Sequence, residues 1–285
     1  DLAHSGVNDK HMQFIVDRAV EAIKEAYNAK KPVTISYGNG SFGEDWVKNI
    51  SEPGELDRSV SVIKFSDQNG KNIATLTNFA CHPTIMDDTS TAASSDYVWG
   101  YYTYLDAAQG GVNMFLQGAI GGWVQPEGVP HTYDQAKYYG TTLGKYVFEL
   151  PKGKNTSKTL GFASAKVDFP LANPGFQMLS KSGIIKRNFG KTVSSEIAFF
   201  SIGDAHFATH PGETSPALGL ATKKLMNNKG PKFVLGLSQD ALGYIVKPSF
   251  FDSSKNIPHS KYLTGMSIGP ETMGIIFANL KTLIK

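Results

Sequence analysis

A chain of 285 residues with 28 Lys and Arg against 25 Asp and Glu has a formal charge of +3, and its lysines are scattered, which excludes a dense basic footprint for nucleic acid. With 41% apolar and 19% charged residues and 29 glycines, the composition is that of a turn-rich globular protein, neither disordered nor fibrous. The length allows one large α/β domain or two small ones; the single cysteine, Cys81, rules out an intrachain disulfide, and no apolar run approaches the roughly 20 residues that span a bilayer as a helix.

In chain order, Asn8 and Asp9 suit a helix N-terminus. Behind them Met12, Ile15, Val16, Ala19, Val20, Ile23, Ala26 and Tyr27 recur at helical spacing, which predicts an amphipathic helix over 10–29. After Pro32, residues 33–37 alternate like a strand that glycines end, and 38–57 reads as a long surface loop. Two β runs, 59–66 and 72–81, are joined by Asp67-Gln-Asn-Gly70, a hairpin signal. A polar loop (87–96), a Tyr-rich helix (97–108), a strand (112–117), a glycine-broken loop (118–128) and a helix (133–150) follow. The lysine-containing stretch 151–158 is a candidate boundary. Beyond it come a strand (160–169), an irregular Pro/Gly segment to 192, a hairpin (196–202 and 205–209) around Gly203-Asp204, a helix (215–228), a strand (232–237) and a closing helix (271–283) that Pro270 introduces. Hairpins mixed with helices predict an α/β fold of mixed β-sheets flanked by helices.

The candidates for chemistry lie where apolar strands run out. His82, in Asn78-Phe-Ala-Cys-His-Pro-Thr84, ends a buried strand that Pro83 stops; a histidine on so rigid a support suits a metal ion, or equally a backbone hydrogen bond. Glu213, in Ala208-Thr-His-Pro-Gly-Glu-Thr214, follows a strand and opens a helix, where its carboxylate either binds a cation or caps the helix dipole. His210, three residues earlier, reads as a supporting partner of such a site or as a surface histidine. In Gly236-Leu-Ser-Gln-Asp-Ala-Leu-Gly-Tyr-Ile245, Gly243 allows close approach before Tyr244, although tyrosine is more often packing than ligand. Tyr97, Trp99, Tyr101, Tyr102 and Tyr104 read as a buried helix face or as lining for an acyl chain. Asn49 and Asn155 begin glycosylation triplets of a kind that also occur by chance.

Taken in order, these segments resemble the neutral/alkaline, non-lysosomal ceramidases. The likeness is carried by Asp57-Arg-Ser-Val-Ser-Val-Ile-Lys-Phe65 and Asn78-Phe-Ala-Cys-His-Pro-Thr84, then by Ser95-Asp96, Leu116-Gln-Gly-Ala119, Pro211-Gly-Glu213 and Gly243-Tyr-Ile245. It implies a single catalytic domain over 1–285, a layered α-β-β-α sandwich without the family's N-terminal portion and C-terminal immunoglobulin-like domain. It also implies a Zn2+ held by two histidines, a glutamate and a tyrosine, with His82, Glu213 and Tyr244 on the positions of the second histidine, the glutamate and the tyrosine. The family's first histidine belongs to a His-Thr-His-Ser-Gly motif. Asp1-Leu-Ala-His-Ser-Gly6 matches its tail, placing His4 on a catalytic or substrate-contacting position and Leu2 where the ligand belongs; alternatively the motif lies upstream of Asp1. The family's Gly-Asp-Val-Ser-Pro loop corresponds to Gly121-Gly-Trp-Val-Gln-Pro126, so Gln125 stands in place of the serine and suits a hydrogen bond to a substrate carbonyl, or simply a loop cap.

The activity implied by this resemblance is zinc-dependent hydrolysis of an amide bond in ceramide or a related N-acyl compound. His4 and His210 are the proton-transfer candidates. The implied partner is a small-molecule or lipid N-acyl substrate, met by peripheral contact with a membrane surface and in a secreted or periplasmic setting. The missing first histidine and Gln125 favour a second reading, a non-catalytic member that acts as a binding protein. A serine hydrolase would need a Gly-x-Ser-x-Gly elbow, and the chain has none.

Overall fold

The computed structural model describes residues 7–150 and 152–284. The first half contains α1 (Asp9–Asn28), β1 (Thr34–Ser41), β2 (Val47–Asn49), β3 (Ser59–Ser66), β4 (Asn72–Phe79), α2 (Tyr97–Ala108), β5 (Val112–Gln117), β6 (Val124–Pro126), α3 (Tyr133–Glu149) and β7 (Gly153–Lys154). The second half adds β8 (Leu160–Pro170), α4 (Pro174–Lys181), β9 (Thr192–Ile202), β10 (Ala205–Thr209), β11 (Glu213–Thr214), α5 (Pro216–Leu225), β12 (Lys232–Leu235), β13 (Tyr244–Ile245), α6 (Ser260–Gly265) and α7 (Thr272–Leu283).

The sequence predicts the β3–β4 hairpin from its turn, and the turn forms for the expected reason. Asp67 Oδ1 accepts the amides of Asn69 and Lys71 at 2.9 and 3.0 Å, while Gly70 takes φ +80°. A first sheet runs β5-β4-β3-β1-β7, with β5 parallel to β4, and a second runs β12-β10-β9-β8, with β12 parallel to β10. Strand alternation then stacks the layers, because successive side chains leave a strand on opposite faces. On β3, Val60 and Val62 meet Tyr97, Tyr101 and Leu105 of α2 and Leu143 of α3, while Ile63 and Phe65 turn to Phe207 and Phe233 of the second sheet. On β9, Phe200 and Ile202 join that inter-sheet core, and Ile197 and Phe199 face Leu218 of α5 and Ile276 of α7. The order is helix, sheet, sheet, helix, the mixed-sheet α/β architecture expected. Asn78 stitches the two sheets together: its buried amide donates to the carbonyls of Leu116 and Val234 at 2.8 and 3.0 Å and accepts from Val234 N at 3.2 Å.

Several elements depart from the sequence reading. β1 does not end at Gly38 but runs to Ser41, paired with β3 throughout; glycine at position 40 leaves room for the Tyr146 hydroxyl, which accepts from Ser41 N at 3.0 Å. The expected loop 38–57 contains β2, which pairs antiparallel with β6 over three residues. The Pro/Gly segment before 192 contains α4, started by the Asn173 cap and by Pro174. Within the candidate boundary, residues 153–156 are tied into both sheets, since β7 pairs with β1 and Thr156 N donates to Asp204 at 2.7 Å. The aromatic run of α2 follows the first of its two readings, a buried helix face, at Tyr97 and Tyr101, which are fully buried, while Trp99 stands exposed. α1 forms where its periodicity predicts, yet none of its residues is buried and Met12, Ile15, Val16, Val20 and Ile23 stand exposed. Among the described residues no helix is long and apolar enough to cross a membrane.

Candidate metal centre

Pairing in β4 ends at Phe79, and three residues later one carbonyl fixes His82 twice. Val124 O accepts the His82 amide at 2.9 Å and its Nδ1 at 2.6 Å. With Nδ1 donating, the ring's other nitrogen, Nε2, points onward to Glu213 Oε1 at 3.1 Å. Glu213 comes from β11, which pairs in parallel with β13 so that Glu213 and Tyr244 are register partners. Close backbone approach holds this junction. Gly121 N donates to Thr214 O at 2.8 Å, and a Cβ on Gly121 would come within 2.5 Å of Glu213 O. Segments distant in sequence thus bring an imidazole against a carboxylate, with Tyr244 the carboxylate's register partner on the adjoining strand.

The electrostatics identify what the centre can hold. Burial works against a charged His82 ring, but the Glu213 carboxylate and the Val124 carbonyl outweigh it and hold the imidazole above its ordinary pKa. Burial, the Glu213 charge and Tyr262 together push the Tyr244 phenol above its usual range. A neutral His82 with its proton on Nδ1 would set one lone pair against another across 3.1 Å. Something positive has to lie between them, either a proton on Nε2 or a cation. Two ligands about 2.05 Å from one tetrahedral zinc are separated by about 3.3 Å, close to the spacing of this pair. The Nδ1–carbonyl bond is the arrangement that orients a metal-binding histidine. The donor set therefore fits zinc, provided the phenol loses its proton on binding. Among the described residues no three His, Cys, Asp or Glu side chains gather to hold a metal ion, so His82 and Glu213 need the phenol or a further donor.

The other sequence candidates stand apart from this junction. His210 is fully enclosed, with Nδ1 2.8 Å from Thr214 Oγ1 and Nε2 3.0 Å from Thr222 Oγ1, and burial pulls its pKa down to about 3. Such a ring has no face open to a substrate; it joins the turn that carries Glu213 to α5. Gln125 follows the carbonyl that holds His82, but its side-chain amide donates to Glu127 at 3.2 Å. His4 lies outside the described residues. Asn49 is buried, with its amide donating to Glu55 O at 2.7 Å, which makes it a structural residue.

An aromatic cluster beside Tyr244 has no signal in the sequence. Tyr262 packs edge-on to Tyr244 and to Trp123, at centroid distances of 5.8 and 5.4 Å, and Trp123 stacks on His259 at 4.2 Å. Trp123 and His259 both occupy the left-handed region, with φ +68° and +60°.

No family model matches the chain. Among solved structures it is similar to the neutral ceramidase from Pseudomonas aeruginosa, with a TM-score of 0.72 at 17% identity over 97% of this chain and 56% of that one. The chain has the fold of the neutral ceramidase structures. A ceramidase complexed with C2 matches with the same TM-score, at 16% identity, over 98% of this chain and 57% of its own. This chain spans a little over half the length of both.

Proposed function

We propose that the protein is a zinc-dependent hydrolase that cleaves the amide bond of ceramide or a related N-acyl compound. The observation that carries this reading is the facing of His82 Nε2 and Glu213 Oε1 across 3.1 Å, with Nδ1 anchored to a main-chain carbonyl and Tyr244 in register beside the carboxylate. Its support from likeness is the neutral ceramidase fold. His82, Glu213 and Tyr244 would hold the ion, which supplies Lewis-acid polarisation of a carbonyl and activation of water. Val124 O keeps the His82 ring in the tautomer that presents Nε2. Burial and the Glu213 charge favour the protonated phenol of Tyr244, so holding a cation there would require the loss of that proton. A secreted or periplasmic setting and contact with a membrane surface belong to the same reading.

A panel of N-acyl lipids assayed with and without added zinc tests it. Hydrolysis of ceramide or another N-acyl amide, lowered about 100-fold or more by His82→Ala, is the expected result. Saturable lipid binding with no hydrolysis under any metal condition would instead establish the binding-protein reading, to which the position of Gln125 against Glu127 lends support.

A further inference from the structure

Between the end of β12 at Leu235 and the start of β13 at Tyr244, the chain forms a loop with left-handed backbone at Leu237, Gln239 and Gly243, where φ is +52°, +75° and +79°. Leucine and glutamine adopt such angles only where the surrounding bonds over-determine them. Here the bonds run to the turn that carries Glu213. Leu237 N donates to Gly212 O at 3.1 Å, Ser238 N to His210 O at 3.0 Å and Leu242 N to Pro211 O at 2.9 Å. The Gly243 carbonyl then accepts Glu213 N at 2.9 Å, and a Cβ on Gly212 would come within 2.7 Å of that oxygen. Glu213 is thus bonded to the residue that precedes Tyr244, and a shift of this loop moves both side chains.

One ion pair holds the loop from outside. Arg187, in the segment between α4 and β9, sets Nη1 at 2.9 Å from both carboxylate oxygens of Asp240, while its Nη2 donates to the Ser194 carbonyl on β9. Asp240 Oδ1 also accepts Ala241 N at 2.8 Å, which couples the carboxylate to the loop's own backbone. We propose that Arg187 is a positioning residue of the metal centre, acting through Asp240 on the loop that fixes Glu213 and Tyr244. A half-exposed ion pair contributes little to global stability. Its orientation matters more, because ligands have to be held to within about 0.5 Å. The assignment rests on reading His82, Glu213 and Tyr244 as the ligands of the centre.

Zinc affinity, measured by competition with a chelating dye alongside the melting temperature of each zinc-free variant, tests the proposal without any catalytic readout. Arg187→Met and Asp240→Asn are each expected to weaken zinc binding about tenfold, and the double variant no more than the weaker-binding single one, because both remove the same pair. Arg187→Lys, which keeps the charge but not the planar fork, should restore part of the loss. Lys186→Met serves as the control: this neighbouring lysine pairs with Asp9 of α1 at 2.9 Å and should leave zinc affinity unchanged. Zinc held as tightly by folded Arg187→Met and Asp240→Asn as by the unaltered protein, even with lowered melting temperatures, or an equal loss in Lys186→Met, overturns the positioning role alone. An unaltered protein that binds no zinc defeats the metal centre, and this role with it.

Discussion

A histidine whose Nδ1 is tied to a main-chain carbonyl has one nitrogen left, and in His82 that nitrogen faces a carboxylate. This was legible in the sequence only as residue types at strand ends; the carbonyl of Val124 that orients the ring is an unmarked backbone atom. His210 shows the converse. From sequence alone it was a candidate for proton transfer, but its position among Thr214 and Thr222 could not be read, because the distance from Thr222 closes only in the folded chain. Replacing His210 by Ala should destabilise the protein by about 2–4 kcal/mol in urea melts, through a cavity and two unpaired hydroxyls. Its pH dependence has a definite sign. The folded pKa, about 3, lies below the ordinary 6.5, so the stability associated with the neutral ring is complete above pH 6.5 and is lost as pH falls from 6.5 towards 3. In His210→Gln that part of the acid loss should disappear; an unchanged acid slope would show that the ring is not held neutral by the fold.

Elements with a period were readable and short ones were not. The β3–β4 and β9–β10 hairpins, α2, α3 and α7 follow from alternation, turn residues and helical spacing. The two-residue strands β11 and β13, which set Glu213 beside Tyr244, are too short to have a pattern. Their placement depends on packing between elements, and two contacts there are open to test. Lys223 of α5 pairs with Asp57 at 2.7 Å and donates to Ser59 Oγ at 2.6 Å, with both charges largely buried. Burial raises the Asp57 carboxyl, but Lys223 and Ser59 outweigh it and leave its pKa below the ordinary value. Its contribution is therefore present above about pH 4 and is lost as pH falls through the folded pKa. Lys223→Met should cost about 3–5 kcal/mol in a denaturant titration, and adding Asp57→Asn should recover much of that. At the α2–α3 crossing, a Cβ on Gly140 would overlap the carbonyl of Tyr97, whose hydroxyl donates to Cys81 O at 2.7 Å beside His82. Gly140→Ala should lower stability by about 1–3 kcal/mol and disturb His82 through that bond, seen as a shifted ring resonance in NMR. A variant as stable as the unaltered protein would mean that the helices separate freely.

Across the whole molecule, the two sheets and their outer helices form one layered frame, and the candidate centre lies just past the end of β4, where β6, β11 and β13 begin. The layered class was legible because hairpins and helices alternate along the chain. The exposed apolar stripe of α1 was not, because helical periodicity marks an apolar face without showing what covers it. Zinc bound per chain, measured by elemental analysis of the dialysed protein and of His82→Ala and Glu213→Ala, bears most directly on the central claim. About one zinc in the unaltered protein and its loss in both folded variants is the expected result. A protein that retains no zinc, or variants that keep it in full, would contradict the assignment of His82 and Glu213 as ligands.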